Sequence, residues 1–197
     1  MIGDQTVEAF VLAGGKSTRM GVDKGLVVLK GKPMISYILE TLQRARLNVS
    51  IVANNDAYKD FGLPVYADVV LEKGPMGGLL TAMRNAASEV ILLISCDMPL
   101  ISPEAINSLL SFLDKEKIVA TAIENKVNPL FALYPRKLKS NVEAYVISGR
   151  LKMTDFILDN PHLLLLSFAQ EMSWCFKNVN TPIDLEEIMN SRPLEND

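Results

Sequence analysis

One stretch near the start of the chain, from Leu12 to Lys32, concentrates residues that could hold phosphate groups. It reads LAGGKSTRMGVDKGLVVLKGK and follows the apolar run Val7 to Ala13. Adjacent glycines let a backbone adopt positive φ and bring its N–H groups close to an anion. The cations that follow, Lys16, Arg19 and Lys24, neutralise charge and polarise phosphoryl oxygens. An apolar strand that opens into a glycine-rich, cationic loop therefore predicts a polyphosphate site.

This loop matches neither of two common phosphate-binding patterns. It contains no G-x-x-x-x-G-K-[ST] segment and no G-x-G-x-x-G segment, which speaks against a P-loop ATPase and an NAD enzyme. A glycine-rich loop with lysines is also found in ordinary surface turns. From these residues alone, phosphate binding is indicated and the reaction stays open.

Asp97 and Asp68 are the two acidic residues best placed to assist such a site. Asp97 directly follows the apolar run ILLISC, and Asp68 precedes LEKGPMGG, which we predict to be a loop from Leu71 to Gly78. In open parallel sheets, ligands bind outside the carboxyl ends of the strands. Carboxylate oxygen suits Mg²⁺, which bridges to substrate phosphates, so we expect Asp97 to hold Mg²⁺. The alternative is that Asp97 merely starts a turn.

Polar side chains in the second half of the chain could meet a second substrate. On an extended segment, residues two apart point the same way, so Asn178 and Asn180 would present two amides on one face. Arg150 and Lys152 follow a glycine and could bind a second phosphate. The alternatives are turn-making and helix capping for the two asparagines, and a solvated basic turn for Arg150 and Lys152.

The elements that must position these residues alternate between strand and helix. Alternation predicts an α/β fold, doubly wound, with a mainly parallel sheet and helices on both faces. We expect one domain over residues 1–197, with a break in the chain at Asn128-Pro129 and an antiparallel pair after Asn128. The predicted strands are Thr6–Ala13, Val49–Ala53, Pro64–Tyr66, Glu89–Ser95, Ile118–Ile123, Leu130–Tyr134, Leu163–Ser167 and Trp174–Val179. The predicted helices are Pro33–Arg46, Leu79–Ala87, Pro103 to about Lys115, Pro135–Ile147, Lys152–Asp159 and one capped by Thr181.

Composition restricts the classes of partner. The net charge is -3, whereas general nucleic-acid binders are usually basic, so a cationic loop in this protein points to a small anionic ligand. Two cysteines outside any CxxC pair and one histidine make a zinc site of that type improbable. The apolar runs are too short to cross a bilayer, and no targeting segment is visible. We expect a cytoplasmic protein, monomeric or weakly oligomeric, that binds no membrane.

With these residues in place, the chain resembles the nucleotidyltransferases with a Rossmann-like fold, and within them the molybdenum cofactor guanylyltransferases of the MobA type. The matching segments extend over nearly the whole length. The second glycine of the opening loop, where cytidylyltransferase relatives have alanine, favours guanine as the base. The segments that carry the resemblance are LAGGKSTRMGVDKGLVVLKGKPMI, GPMGGLLTAM, CDMPLIS and FKNVNTPIDLEEI.

The resemblance implies transfer of GMP from GTP to molybdopterin or its molybdenum-loaded form, with release of pyrophosphate and Mg²⁺ as cofactor. It also implies molybdenum-insertion proteins and acceptor-enzyme chaperones as partners. Alternatives are a relative that uses CTP or a sugar phosphate, and a GTP-binding protein without turnover.

By position, the resemblance assigns a role to individual residues. The N-terminal half would bind the nucleotide and the C-terminal half the acceptor. Arg19, Lys24 and Asp97 would be catalytic, and Asp97 would bind the metal. The residues implied to bind the nucleotide are Leu12, Ala13, Gly14, Gly15, Lys16, Lys24, Asn54, Asp68, Gly74, Gly78 and Asp97. Those implied to bind the acceptor are Arg150, Lys152, Asn178 and Asn180.

Overall fold

Strands and helices alternate along a computed structural model that describes residues 6–14, 23–123 and 126–190. The strands are β1 (Val7–Leu12), β2 (Val28–Leu29), β3 (Lys32–Pro33), β4 (Asn48–Val52), β5 (Val65–Tyr66), β6 (Val90–Ser95), β7 (Ile118–Ile123), β8 (Lys126–Pro135) and β9 (Leu163–Ser167). The α-helices are α1 (Met34–Arg44), α2 (Gly74–Asn85), α3 (Pro103–Leu110), α4 (Lys139–Ile147), α5 (Met153–Leu158) and α6 (Pro182–Asn190). Short 3₁₀ segments cover Lys24–Leu26, Asp56–Phe61, Arg136–Leu138 and Gln170–Phe176.

The main sheet has the strand order β5–β4–β1–β6–β8–β7–β9. Its neighbouring strands pair in parallel except at β8, which is antiparallel to both β6 and β7. The chain runs outward from β1 through β4 to β5, then returns to place β6 on the other side of β1. The strand order therefore reverses between β1 and β6, which is where open α/β sheets bind ligands. The predicted fold class is confirmed, including the antiparallel strand in the second half.

Each face of the sheet is covered by helices because its central strands are apolar on both sides. In β1, Ala9 and Val11 face a core built with α1 and α3, whereas Phe10 faces a core built with α2, α4 and α5. The same alternation runs through β6, which is buried along its whole length. Within the described ranges, no helix has the length and apolar character needed to span a membrane.

The segment Leu71–Gly78, predicted to be a loop, is helical from Gly74 onward. Pro75 lies in the first turn of α2, where its missing N–H leaves no hydrogen bond unmade. Gly78 faces β1 so closely that a Cβ there would come within 2.8 Å of Leu12 Cδ2. Gly78 therefore reflects close packing of the helix on the strand and is not a sign of a loop.

Two further predictions of secondary structure are wrong. The third helix ends at Leu110 rather than near Lys115, and beyond it the Asp114 carboxylate accepts the backbone N–H of Glu116, a local bond that competes with helix. The segment Trp174–Val179 is not a strand: a 3₁₀ segment runs to Phe176. The centre of the Phe176 ring lies 5.6 Å from that of the Phe131 ring, so Phe176 is buried by packing on the sheet, whereas Trp174 remains exposed.

Strand β8 continues through Asn128 and Pro129, where we predict a break, and it forms a bulge there. The register against β7 shifts at this point, so that Thr121 pairs with Asn128 while Ala120 pairs with Ala132. Two carbonyls of the bulged segment accept hydrogen bonds from side-chain hydroxyls, Phe131 O from Thr121 (2.9 Å) and Pro129 O from Tyr134 (2.8 Å). The bulge accommodates the proline, which has no N–H to give to a ladder.

Candidate active site

A cleft of about 320 Å³ opens at the carboxyl ends of β1 and β6, where the strand order reverses. The N-terminus of α2 also points into it, and helix N-termini favour anions. At its floor Gly14 has a φ of 86°, a conformation that glycine adopts without strain. The residues that line the cleft are Leu12, Ala13, Gly14, Lys24, Val52, Asp68, Gly74, Pro75, Gly78, Ser95, Cys96, Asp97 and Leu130.

Most of the residues predicted to bind a nucleotide come together in this cleft. Eight of them are in its lining: Leu12, Ala13, Gly14, Lys24, Asp68, Gly74, Gly78 and Asp97. Gly15, Lys16 and Arg19 lie outside the described residues, so their predicted contacts with the triphosphate stay predictions. Asn54 is not in the lining.

Asn54 instead holds Asp68 in place. Its side-chain amide donates to Asp68 Oδ2 at 2.8 Å, and its side-chain oxygen accepts the backbone N–H of Asp68 at 2.9 Å. This two-point contact joins the end of β4 to the segment after β5. Asn54 therefore orients a carboxylate that lines the cleft.

Asp97, Lys24 and Asn180 form the charged centre of the site. Lys24 Nζ lies 3.5 Å from Asp97 Oδ2 and donates a hydrogen bond to Asn180 Oδ1 at 2.5 Å. The Asp97 side chain is only 13% exposed, and its other oxygen, Oδ1, is buried without a hydrogen-bond partner. A buried carboxylate oxygen without a donor is a group that a cation would satisfy.

The predicted asparagine pair reaches this centre through a backbone contact. The Val179 N–H donates to the Asp97 carbonyl at 2.8 Å, and the Val179 side chain is buried. Asn180 contacts Lys24, whereas Asn178 lines a second cleft. The start of α6 holds this segment, because Asp184 Oδ2 accepts the backbone N–H groups of Asn180 and Thr181. The predicted Thr181 cap is confirmed, since its hydroxyl accepts the Asp184 N–H at 3.2 Å.

The second cleft lies on the other side of Asp97 and is built largely from the β8 bulge. Its volume is about 380 Å³. It shares Ser95, Asp97 and Leu130 with the first cleft, so the two cavities meet at the carboxylate. The rest of its lining is Met98, Ile123, Lys126, Val127, Asn128, Pro129, Phe176 and Asn178.

Arg150 and Lys152 are not in the lining of either cleft. The Arg150 guanidinium pairs with Asp159 at 2.6 Å and lies 4.2 Å from the centre of the Tyr145 ring. Lys152 pairs with Asp155 at 2.8 Å. These contacts stabilise the connection between α4 and α5. They agree with the alternative given above for these two residues, a solvated basic turn. Their predicted contact with an acceptor stays a prediction.

Asp23 and Tyr58 are part of this site although they were not predicted. Asp23 caps the 3₁₀ turn that carries Lys24, and it accepts a hydrogen bond from the Tyr58 hydroxyl. Burial and this hydrogen bond raise the pKa of Tyr58 far above its ordinary value, so the phenol keeps its proton. The sequence Asp23-Lys24-Gly25 is typical of a capped turn, so the role of Asp23 could have been found. A single tyrosine belongs to no sequence pattern that would indicate the role of Tyr58.

The two cysteines are packing residues rather than nucleophiles. Burial raises the pKa of Cys96 well above its ordinary range and that of Cys175 to about 11. Both therefore remain protonated thiols near neutral pH, whereas the thiolate is the reactive form. Among the residues that the structure describes, no three His, Cys, Asp or Glu side chains cluster as a metal site.

The fold and the cleft define the class of protein, an α/β protein with a cleft at the reversal of strand order, where sheets of this kind bind ligands. The profile of the MobA-like NTP transferase domain matches residues 9–161, and the chain belongs to this family of nucleotidyltransferases.

Curated relatives match along almost the whole chain. A molybdenum cofactor guanylyltransferase from Haemophilus influenzae is 35% identical over 188 residues, covering 92% of this chain and 97% of the relative. A probable molybdenum cofactor guanylyltransferase from Flavobacterium johnsoniae is 32% identical over 185 residues, covering 93% of this chain and 97% of the relative. These matches therefore cover more of the chain than the family domain does.

Solved structures confirm the fold. Molybdopterin-guanine dinucleotide biosynthesis protein A from Archaeoglobus fulgidus superimposes with a TM-score of 0.75 at 23% identity, over 92% of this chain and 96% of that one. A nucleotidyl transferase from Methanothermobacter superimposes with a TM-score of 0.76 at 17% identity, over 94% of this chain and 97% of that one.

Proposed function

We propose that this protein transfers GMP from GTP to molybdopterin or its molybdenum-loaded form and releases pyrophosphate. The observation that carries the proposal is a buried carboxylate, Asp97, at the junction of two clefts with Lys24 beside it. Transfer of a nucleotidyl group from one substrate to another needs two cavities that meet at one charged centre. The names of the relatives supply the identity of the substrates.

The first cleft is proposed to take GTP and the second to take the acceptor. Leu12, Ala13 and Gly14 would face the base and ribose, and Asp68 with the start of α2 would complete that pocket. Lys24 would reach the α-phosphate. Asn178 and Lys126, in the lining of the second cleft, would contact the acceptor. This division assigns the nucleotide to the N-terminal half and the acceptor to the C-terminal half of one domain.

A divalent cation, Mg²⁺, fits this proposal. Asp97 is the residue that would hold it, because Oδ1 is buried and unpartnered and because Mg²⁺ binds through one or two carboxylates together with substrate phosphates and water. When bound, the ion supplies charge neutralisation on the phosphates.

The residues present suit a reaction without a general base. A phosphate oxygen of the acceptor would attack the α-phosphorus of GTP, and the bond to the β-phosphate oxygen would break to release pyrophosphate. The attacking group is already an oxyanion, so no histidine or thiolate is required. The obstacle is repulsion between anions, and Lys24 would lower it by placing a positive charge in the first cleft, next to Asp97.

The test is pyrophosphate release measured with GTP, CTP, ATP and UTP, each with and without molybdopterin. We expect release that requires both GTP and molybdopterin. Equal activity with CTP, or activity on a sugar phosphate alone, would contradict the guanylyl assignment.

Asp97→Asn separates an enzyme from a binding protein: transfer should be lost while part of the GTP affinity survives. Unchanged transfer in this variant would remove Asp97 from its proposed role.

A further inference from the structure

The catalytic lysine of the proposed reaction stands on a turn too short to hold its own shape. The 3₁₀ segment that carries it is Lys24–Leu26, and its hydrogen bonds are Leu26 N–H to Asp23 O at 3.0 Å and Val27 N–H to Lys24 O at 3.2 Å. A single turn is unfavourable in isolation, because many dihedral angles are restricted for few hydrogen bonds. Contacts from elsewhere must therefore fix where Lys24 points.

Those contacts converge on the Asp23 carboxylate. Its Oδ1 accepts the Gly25 N–H at 3.3 Å and the hydroxyl of Tyr58, while its Oδ2 accepts the Asn55 side-chain amide at 3.4 Å. Tyr58 is fully buried, and both Tyr58 and Asn55 belong to the segment that follows β4. The turn is thus anchored to the edge of the main sheet.

The packing leaves this turn little freedom to move. A Cβ at Gly25 would come within 2.5 Å of the Tyr58 Oη and 3.2 Å of its Cε1, so the backbone of the turn rests directly on the phenol ring. Tyr58 is not among the residues that line either cleft. Any influence of Tyr58 on the substrates must therefore pass through Asp23 and Lys24.

We propose that Tyr58 and Asp23 are positioning residues that hold Lys24 in the first cleft, beside Asp97, where the two clefts meet. The assignment of Lys24 to phosphoryl transfer rests on the proposed function. The geometry of the support does not: it places Lys24 Nζ 2.5 Å from Asn180 Oδ1 and 3.5 Å from Asp97 Oδ2. Loss of the Tyr58 hydroxyl frees one side of the capping carboxylate, and the turn with its lysine then shifts.

The kinetic test is Tyr58→Phe, which removes the hydroxyl and keeps the ring. We expect kcat for pyrophosphate release to fall about tenfold, with a smaller change in KM for GTP, because small misplacements of a catalytic group are costly. Tyr37→Phe is the matched control, since it also removes a buried hydroxyl bond, to Leu29 O at 2.7 Å, without touching either cleft. A purely structural role would lower thermal stability in both variants and leave both kcat values unchanged.

A double-mutant cycle shows whether the effect passes through the lysine. In the Lys24→Ala background, Tyr58→Phe should cause no further loss of kcat. A tenfold loss in both backgrounds would overturn the proposal.

If Tyr58→Phe does not fold, Asp23→Asn and Asp23→Ala replace it: the amide keeps an acceptor oxygen and should retain activity, whereas alanine should lose it. Equal activity of these two variants would also overturn the proposal.

A second readout needs no turnover. Acylation of Lys24 by a water-soluble ester, followed by mass spectrometry, reports how firmly its amine is held, with the exposed Lys59 as internal reference. Tyr58→Phe should raise the relative labelling of Lys24 several-fold, and Tyr37→Phe should not. Unchanged labelling overturns the positioning role. A wild-type protein without GTP-dependent transfer overturns the proposed function instead, while the labelling still decides whether Tyr58 positions the lysine.

Discussion

At the scale of single residues, the site depends on which groups bind the Lys24 amine. Its amine is held by Asn180 and lies near Asp97, and a quarter of its side chain is exposed. An incoming phosphate would compete with Asn180 for the same ammonium group. The asparagine can therefore hold the lysine ready in the free protein and release it to a stronger, charge-assisted partner.

Lys24→Ala should lower turnover much more than stability. Removing one donor that stabilises developing charge typically costs about 100-fold or more in kcat. A partly exposed ion pair contributes about 1 kcal/mol or less to the free energy of unfolding. Steady-state kinetics and urea unfolding measure the two effects. Lys59→Ala, which removes a surface lysine paired with Asp56, is the control and should change neither. A stability loss of several kcal/mol with normal turnover would assign Lys24 to the fold instead.

Residue types explain which parts of the site could be predicted. Asp97 and Lys24 could be identified because a carboxylate directly after a buried strand and a lysine in a glycine-rich loop each indicate a role in ligand binding. Tyr58 was not, because a tyrosine in a turn is compatible with many roles and its partner Asp23 is 35 positions away. The β8 bulge is a third case: Asn128-Pro129 suggests a break, but the strand continues, and the hydroxyls of Thr121 and Tyr134 donate to carbonyls of the bulged segment.

At the scale of elements, the close contact between α2 and β1 shapes the first cleft. Gly78→Ala would push its new methyl group against the Leu12 side chain, which lines that cleft. We expect the Kd for GTP to rise about tenfold, the effect of roughly one misplaced methyl group in a binding pocket. The free energy of unfolding should change by less than about 1 kcal/mol, because the helix propensity gained with alanine offsets the cost of crowding Leu12. Titration calorimetry and urea unfolding measure both quantities.

The companion variant for Gly78→Ala is Leu12→Ala. Shortening Leu12 removes the two methyl groups that the new Cβ would meet, at 2.8 and 3.1 Å. In this background Gly78→Ala should have no further effect on GTP affinity. A tenfold effect that persists would mean that Gly78 acts through the backbone of α2 and not through the packing against Leu12.

The cap of α6 has a pH dependence whose sign follows from its hydrogen bonds. Partial burial opposes the charge on Asp184, but bonds from the Thr181 hydroxyl and from the N–H groups of Asn180 and Thr181 outweigh it and lower the pKa of Asp184. A carboxyl whose pKa is lowered on folding stabilises the protein above its unfolded pKa, about 3.9. That stabilisation is lost as the pH falls through the folded pKa.

Asp184→Ala should therefore destabilise the protein by about 1 kcal/mol at pH 7, the usual value of a helix cap. The difference from the wild type should shrink as the pH falls below about 4. Urea unfolding across this range measures it. Asp184→Asn keeps a capping side chain that cannot ionise, so it should differ from alanine by an amount that does not change with pH. A gap between wild type and Asp184→Ala that stays constant down to pH 2 would show that the charge contributes nothing.

At the scale of the whole molecule, the fold follows from patterns that are local and strongly periodic. Buried strands such as β6 and amphipathic helices such as α1 are visible in the sequence, and their alternation leads to the parallel sheet. Two of the errors fall where distant packing decides: the start of α2 against β1, and the 3₁₀ segment before α6, which ends where Phe176 packs on Phe131. A pattern within one segment carries no information about such partners.

The molecule as a whole is organised so that two halves of one sheet meet at Asp97. Asp68 lines only the first cleft and Asn178 only the second, although Val179 and Asp97 share a backbone hydrogen bond. If the halves divide the substrates, Asp68→Asn should raise the Kd for GTP about tenfold and leave the KM for molybdopterin within about threefold, since a charge-assisted contact is worth roughly 1.5 kcal/mol or more. Asn178→Ala should do the reverse. Calorimetry with GTP and initial rates over a range of molybdopterin concentrations measure the two constants. Variants that each shift both constants together would show that the clefts act as one binding site, with Asp97 inside it and not between two substrates.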